Sequence, residues 1–174
     1  MRQRMTDARS VAMVAVMSAV VLVLTLMIKI PTPAKGYIHL GDAAIFFAAF
    51  AFGPLVGGAA GGLGTALADL FGYPQWAVIS LLVHGFQGWV VGAMVHGVGR
   101  AARDLPGWYQ ILSAVGVGCA VVVVGYLLGG VVLVGAGAAL AEVPANIIQG
   151  LSGGLVGAPL YYAVRRAYPP LAQR

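Results

Sequence analysis

Six apolar stretches fill most of this 174-residue chain, and only 9% of its residues are charged. Soluble domains carry about 25% charged residues, so this chain belongs in a bilayer, where polar backbone groups must be satisfied internally. The expectation is one all-α integral membrane domain, a six-transmembrane-helix bundle with spans at about residues 10–28, 42–52, 55–70, 76–98, 108–134 and 141–164. A straight crossing takes about 20 residues, which leaves the second and third runs short. Joining Asp42 to Asp69 into one long helix is the competing topology.

Charge decides between them. With six spans and the N-terminus inside, Arg2, Arg4, Arg9, Arg100, Arg103, Arg165, Arg166 and Arg174 are cytoplasmic, and only Lys29 and Lys35 face outward. Joining the two short runs leaves three basic residues inside and seven outside, against the positive-inside rule. Six spans with both termini cytoplasmic is the better reading, with a tight inner turn at Phe52-Gly53-Pro54. The outward loops are then Pro31–Leu40, Phe71–Gln75 and Gly135–Leu140. The apolar run from Val11 to Ile28 is long for a signal peptide and lacks a small-residue cleavage site after it, so it reads as a retained first span.

Polar side chains within the spans crowd toward the outward face: Tyr37, His39 and Asp42; Asp69, Tyr73 and Trp76; His84 and Gln87; Glu142, Asn146 and Gln149. Polar groups at membrane depth are costly, so they face a bundle interior or a wet cavity. Glu142, Asn146 and Gln149 are spaced i, i+4, i+7 and share one helix face, and Ser80, His84 and Gln87 repeat that spacing on the fourth span. One stripe alone serves as an interhelical hydrogen-bond pair, worth about 0.6–2 kcal/mol. Two stripes at one depth, beneath loops bearing aromatic rings, suit a pocket for a flat heteroaromatic ligand. Asp42 also suits a helix cap behind Gly41, and Tyr73 and Trp76 also suit an interfacial belt. Asp69 opposes the dipole at a helix C-terminus and so calls for a donor or a ligand. Pro144 fits the first turn of the last helix.

Other classes fit poorly. The net charge of +5 is dispersed between apolar spans and does not point to nucleic acid. Gly135-Ala-Gly137 lacks the strand and third glycine of a nucleotide fingerprint, and no Gly-Lys-Ser/Thr motif occurs. The three histidines lack the close pairing of a zinc site and Cys119 is the sole cysteine, so neither a metal nor a cofactor is expected. Gly57, Gly58, Gly61 and Gly62, Gly88 with Gly92, Gly125 with Gly129, and Gly153 with Gly157 make small-residue pairs for close helix packing. Ala12, Ala15 and Ala19 make another small face, suited to packing or to docking a second membrane protein.

Tyr37-Ile-His-Leu-Gly-Asp42, Phe52-Gly-Pro-Leu-Val-Gly57 and Gly64-Thr-Ala-Leu-Ala-Asp69-Leu resemble the membrane S components of energy-coupling factor (ECF) vitamin transporters. The nearest group is the riboflavin type that includes hydroxymethylpyrimidine and vitamin B6 importers. His84-Gly-Phe-Gln-Gly-Trp-Val-Val-Gly92 and Glu142-Val-Pro-Ala-Asn-Ile-Ile-Gln-Gly150 resemble its fourth and sixth spans. The resemblance implies a six-helix capture subunit in a prokaryotic plasma membrane, binding a vitamin on the outer side. It implies assembly with a transmembrane coupling protein and two cytoplasmic ATPases. It also implies a lid at Pro31–Leu40 and docking through Ala15-Val-Met-Ser-Ala19.

The expected ligand is a pyrimidine or pyridine, such as hydroxymethylpyrimidine or a B6 vitamer, with riboflavin or another vitamin as the alternative. Glu142 and Asp69 would pair with ring nitrogens, amines or hydroxyls; His84, Asn146 and Gln149 would bond the ring edge; Tyr37, Tyr73 and Trp76 would wall it. Two rivals come from other classes. An intramembrane enzyme using Asp69, His84 and Glu142 predicts product formation, and a self-sufficient secondary carrier predicts flux without ATPases.

Overall fold

A computed structural model describes residues 8–32, 36–97 and 106–168. Arg2, Arg4, Arg100, Arg103, Arg174 and Lys35, which carry most of the topology argument, lie outside the described residues, as does part of the Pro31–Leu40 loop.

Among the described residues six α-helices make the bundle: α1 (Ala8–Met27), α2 (Gly41–Phe52), α3 (Pro54–Leu70), α4 (Ala77–His96), α5 (Trp108–Val134) and α6 (Ala136–Ala167). Four of the segments are long and apolar enough to cross a membrane, namely α1, α4 with its preceding turn, α5 and α6. α2 and α3 are shorter, and they are separate helices. Gly53 sits between them at φ +84, a left-handed conformation that a side chain rarely adopts, and Pro54 opens α3 without needing an amide partner.

Three features differ from the sequence expectation. The loop after α1 is a small antiparallel hairpin, β1 (Lys29–Pro31) with β2 (Tyr37–His39), pairing Ile30 with Ile38. Gly135–Leu140 is no loop: α6 begins at Ala136, and Gly135 alone, at φ +88, turns the chain between α5 and α6. Pro144 therefore lies inside α6 rather than in its first turn.

Small residues set the packing. α3 lies along α4 so closely that a Cβ at Gly88 would stand 2.2 Å from the Gly57 carbonyl oxygen. α2 meets α6 in the same way, because a Cβ at Gly153 would fall 2.4 Å from the Asp42 Cβ. Such contacts bring backbones together where apolar burial provides no drive between helices in lipid. α1 buries Met17, Ser18, Val21 and Thr25, with Val21 and Ser18 against Gly64 of α3. Its opposite face, which includes Ala12, Ala15 and Ala19, is exposed.

The two ends of the bundle differ. Far from the hairpin, Phe46, Phe50, Val91, Val95, Ile111, Ala114, Val115 and Tyr161 form an apolar core. Buried charge and amide groups lie at the hairpin end.

Candidate functional site

At the hairpin end β2, α3, the Pro74–Trp76 turn, α4, α5 and α6 line a cavity of about 30 Å³ that opens into about 480 Å³ of space shared with solvent. Its wall includes Tyr37, His39, Asp69, Trp76, Glu142, Asn146 and Gln149. Seven of the eleven candidate residues thus converge on one space although they are spread over more than a hundred positions of chain. The i, i+4, i+7 spacing on α6 carries Glu142, Asn146 and Gln149 down one wall, a fall of about 10 Å.

Asp42, His84 and Gln87 do not line the cavity. They are wholly buried beneath it and form its floor. Asp42 does not cap α2: the helix starts after Leu40 with no side-chain cap. Its carboxylate instead accepts hydrogen bonds from Gln87 Nε2 (3.2 Å) and Gln149 Nε2 (3.4 Å) and lies 3.4 Å from His84 Nδ1. Its place in the first turn of α2 also puts negative charge at the positive end of the helix dipole. His84 Nδ1 faces Gln87 Oε1 at 2.8 Å. A carboxamide oxygen only accepts, so Nδ1 is the donor in this contact.

The hairpin is tied on two sides. The His39 amide donates to Gln149 Oε1 on α6 (3.1 Å), and the Tyr37 hydroxyl donates to Asp69 Oδ1 on α3. A hydrogen bond to a charged acceptor contributes about 1.5–3 kcal/mol, and the lower figure suits the half-buried Tyr37. Burial, then the Asp69 carboxylate, pushes the Tyr37 hydroxyl well above its ordinary pKa, so it remains a donor. The ring packs 4.7 Å from Tyr73, and Lys29 Nζ sits over it at 4.5 Å. Tyr73 is therefore a support for Tyr37 rather than part of the cavity wall. His39 accepts the Gly41 amide at Nδ1 (3.1 Å), and burial, reinforced by His84 and Lys29, lowers its pKa well below the usual histidine range.

Spacing along the chain gave no hint of a metal cluster, yet the fold brings ligand atoms of His39, Asp42 and His84 within 4.8 Å of one another. All three could hold an ion in principle. Each is already engaged by protein groups: His39 by Gly41, Asp42 by two glutamines, and His84 by Gln87. Two carboxamides around one carboxylate make a polar floor in which only His84 Nε2, among the polar side-chain atoms of Asp42, His84 and Gln87, is buried without a partner.

Tyr126 on α5 was missed by sequence reasoning. Its ring lies 5.9 Å from Trp76 and 5.5 Å from His84, its hydroxyl is 2.5 Å from Ser80 Oγ, and it lines the cavity. The available signal was a single phenol in the otherwise apolar run from Ala114 to Val134.

Comparisons with known proteins agree with this architecture. The profile of the family described as "ECF-type riboflavin transporter, S component" matches residues 5–166. A protein of Pyrococcus woesei, described as "Uncharacterized protein in gap 3'region", is 40% identical over 154 residues, covering 88% of this chain and 99% of its own. The thiamine precursor transporter HmpT of Lactococcus lactis subsp. cremoris (strain MG1363) is 27% identical over 171 residues, covering 97% and 90%. A solved structure described as "Structure and mechanism of the S component of a bacterial ECF transporter" superposes with a TM-score of 0.68 at 22% identity, over 92% of this chain and 98% of that one.

Proposed function

This chain belongs to the ECF-type riboflavin transporter S component family, and from that membership we propose that it captures a pyrimidine or pyridine vitamin, or its precursor, in the hairpin-end cavity. Members are substrate-binding subunits of vitamin transporters and not enzymes. The observation that carries the reading is the convergence of Asp69, Glu142, Asn146 and Gln149 on one aromatic-walled cavity above a sealed polar floor. Aromatic faces with a few placed donors and acceptors are what a flat, polar-edged ring needs. The relation to the thiamine precursor transporter supports a thiamine precursor such as hydroxymethylpyrimidine. Riboflavin is the second reading, supported by the family's description.

The cavity faces outward and the opposite end faces the cytoplasm. Arg9, Arg165 and Arg166 support this orientation, because they lie at the ends of α1 and α6 far from the hairpin, while Lys29 lies within it. The membrane is the plasma membrane of a prokaryote. The hairpin acts as the lid, held shut by Tyr37–Asp69 and His39–Gln149. Transport is driven by ATP through a coupling protein and two cytoplasmic ATPases, and the exposed Ala12, Ala15 and Ala19 face of α1 receives the coupling protein. Small side chains there let a partner helix approach closely.

Native mass spectrometry of the mildly solubilised chain tests the capture reading. A co-purified pyrimidine or pyridine vitamin, released unchanged on denaturation, is expected. A chemically altered product would point to an enzyme, and a chain that takes up none of the water-soluble vitamins on titration would end the proposal.

A further inference from the structure

Two side chains on the cavity wall carry a buried polar atom with no hydrogen-bond partner: Asp69 Oδ2 and Trp76 Nε1. His84 Nε2, in the floor behind Tyr126, is a third. A buried polar atom without a partner keeps its full desolvation cost, so each of the two on the wall is an unmet demand on whatever fills the space. Each demand has a sign. Asp69 is 2% exposed. Its Oδ1 takes the Tyr37 hydroxyl and its Oδ2 meets no hydrogen-bond partner, so Oδ2 calls for a donor even with the Ser80 hydroxyl close by. An indole N–H only donates, so Trp76, 6% exposed, calls for an acceptor.

Charge points the same way. Glu142 adds a second carboxylate to the wall, and among the described residues lining the cavity there is no lysine or arginine. Lys29 stands behind Tyr37, over the face of its ring, rather than in the wall.

We propose that the captured ligand is an amine-bearing nitrogen heteroaromatic, its amino N–H donating to Asp69 Oδ2 and a ring nitrogen or hydroxyl accepting from Trp76 Nε1. The inference rests on the vitamin-capture reading and narrows it. A counterpart with a carbonyl in place of the amine sets acceptor against acceptor at Asp69 and is rejected there. A site built to bond a particular polar group discriminates strongly against an analogue lacking it, because its own buried groups are then left unpaired.

The test is isothermal titration of the purified full-length protein with two matched pairs: hydroxymethylpyrimidine carrying its ring amine against the oxo counterpart, and pyridoxamine against pyridoxal. In at least one pair the amine is expected to bind about tenfold or more tightly than its partner, as suits a donor lost from a charged acceptor. Asp69→Asn, whose carboxamide offers its own donor, is expected to narrow the gap to about threefold or less. The wild-type preference stands as evidence even if that variant does not fold. Oxo compounds binding as tightly as amines would overturn the proposal, and a gap unchanged in folded D69N would remove Asp69 from it. If neither pair binds and riboflavin does, the ligand class is wrong while capture stands. If no vitamin binds at all, the capture reading falls as well.

Discussion

The two halves of the bundle are built from the same helices and bury opposite chemistry. In the half far from the hairpin, α2, α4, α5 and α6 meet through Phe46, Phe50, Val91, Val95, Ile111 and Tyr161. In the other half α2, α4 and α6 meet through Asp42, His84, Gln87 and Gln149, joined by hydrogen bonds. Apolar packing would hold the second half together at lower risk, since a buried polar group left unpaired costs about 1–3 kcal/mol. A membrane protein that accepts this risk in one half only has a use for polarity there. On the proposed reading the dry half is a stable base and the polar half provides recognition.

The comparison breaks most severely where helices touch through glycine. Gly88→Ala forces a methyl into the Gly57 carbonyl, and overpacking of this kind costs about 3 kcal/mol. Thermal unfolding in detergent should show a large fall in Tm, with ligand binding lost together with the fold. A Tm equal to wild type would mean that α3 and α4 are not in backbone contact.

Substitutions one in each half sharpen the contrast. Asp42→Ala strips the partner from Gln87 and Gln149, and affinity should fall by about tenfold or more as the floor loses its order. Phe50→Leu should lower Tm by the equivalent of about 1 kcal/mol and leave affinity within about twofold of wild type. If the Phe50 variant lost affinity and the Asp42 variant kept it, the division of labour proposed here would be reversed.

A pH series probes His39 at the base of the hairpin. The His39 pKa is lowered by burial, His84 and Lys29 from an unfolded reference of 6.5. Below that reference the unfolded chain binds the proton more readily than the folded one, so the folded state loses stability as pH falls. Stability should be flat above about pH 6.5 and decline in acid. His39→Asn should flatten the acid limb; an identical limb in that variant would assign it to another group.

The smallest effect on capture is expected at α1. Ala15→Leu or Ala19→Leu enlarges an exposed face away from the cavity. Ligand affinity should be unchanged, while co-purification with the coupling protein should fail. Normal assembly of both variants would place docking elsewhere.

Much of this organisation was legible in the sequence because it depends on local pattern. The apolar run Trp108–Val134 is α5 itself, and Phe52-Gly53-Pro54 marks a break that glycine and proline impose by their own geometry. The Glu142, Asn146 and Gln149 stripe was readable because helical spacing alone puts these residues on one face. What could not be read depends on contacts between distant segments. The start of α6 was hidden because Gly135-Ala-Gly137 looks like a loop, although only Gly135 takes the left-handed turn. The hairpin strands are three residues each and one contains Pro31, too little for a strand pattern. Tyr126 sits alone in an apolar run, with its partners Ser80, Trp76 and His84 all on other segments. Likewise the meeting of His39 and Asp42 with His84 is made by the packing of α2 against α4, so histidine spacing along the chain carried no information about it.

Equilibrium dialysis of a hydroxymethylpyrimidine or B6 ligand against wild type and single alanine variants of Glu142, Asn146 and Gln149 tests the central claim most directly. Wild type should bind the compound and return it chemically intact, with affinity weakened by about tenfold or more in at least two of the three folded variants. Undiminished affinity in all three would contradict a binding site on this wall of α6.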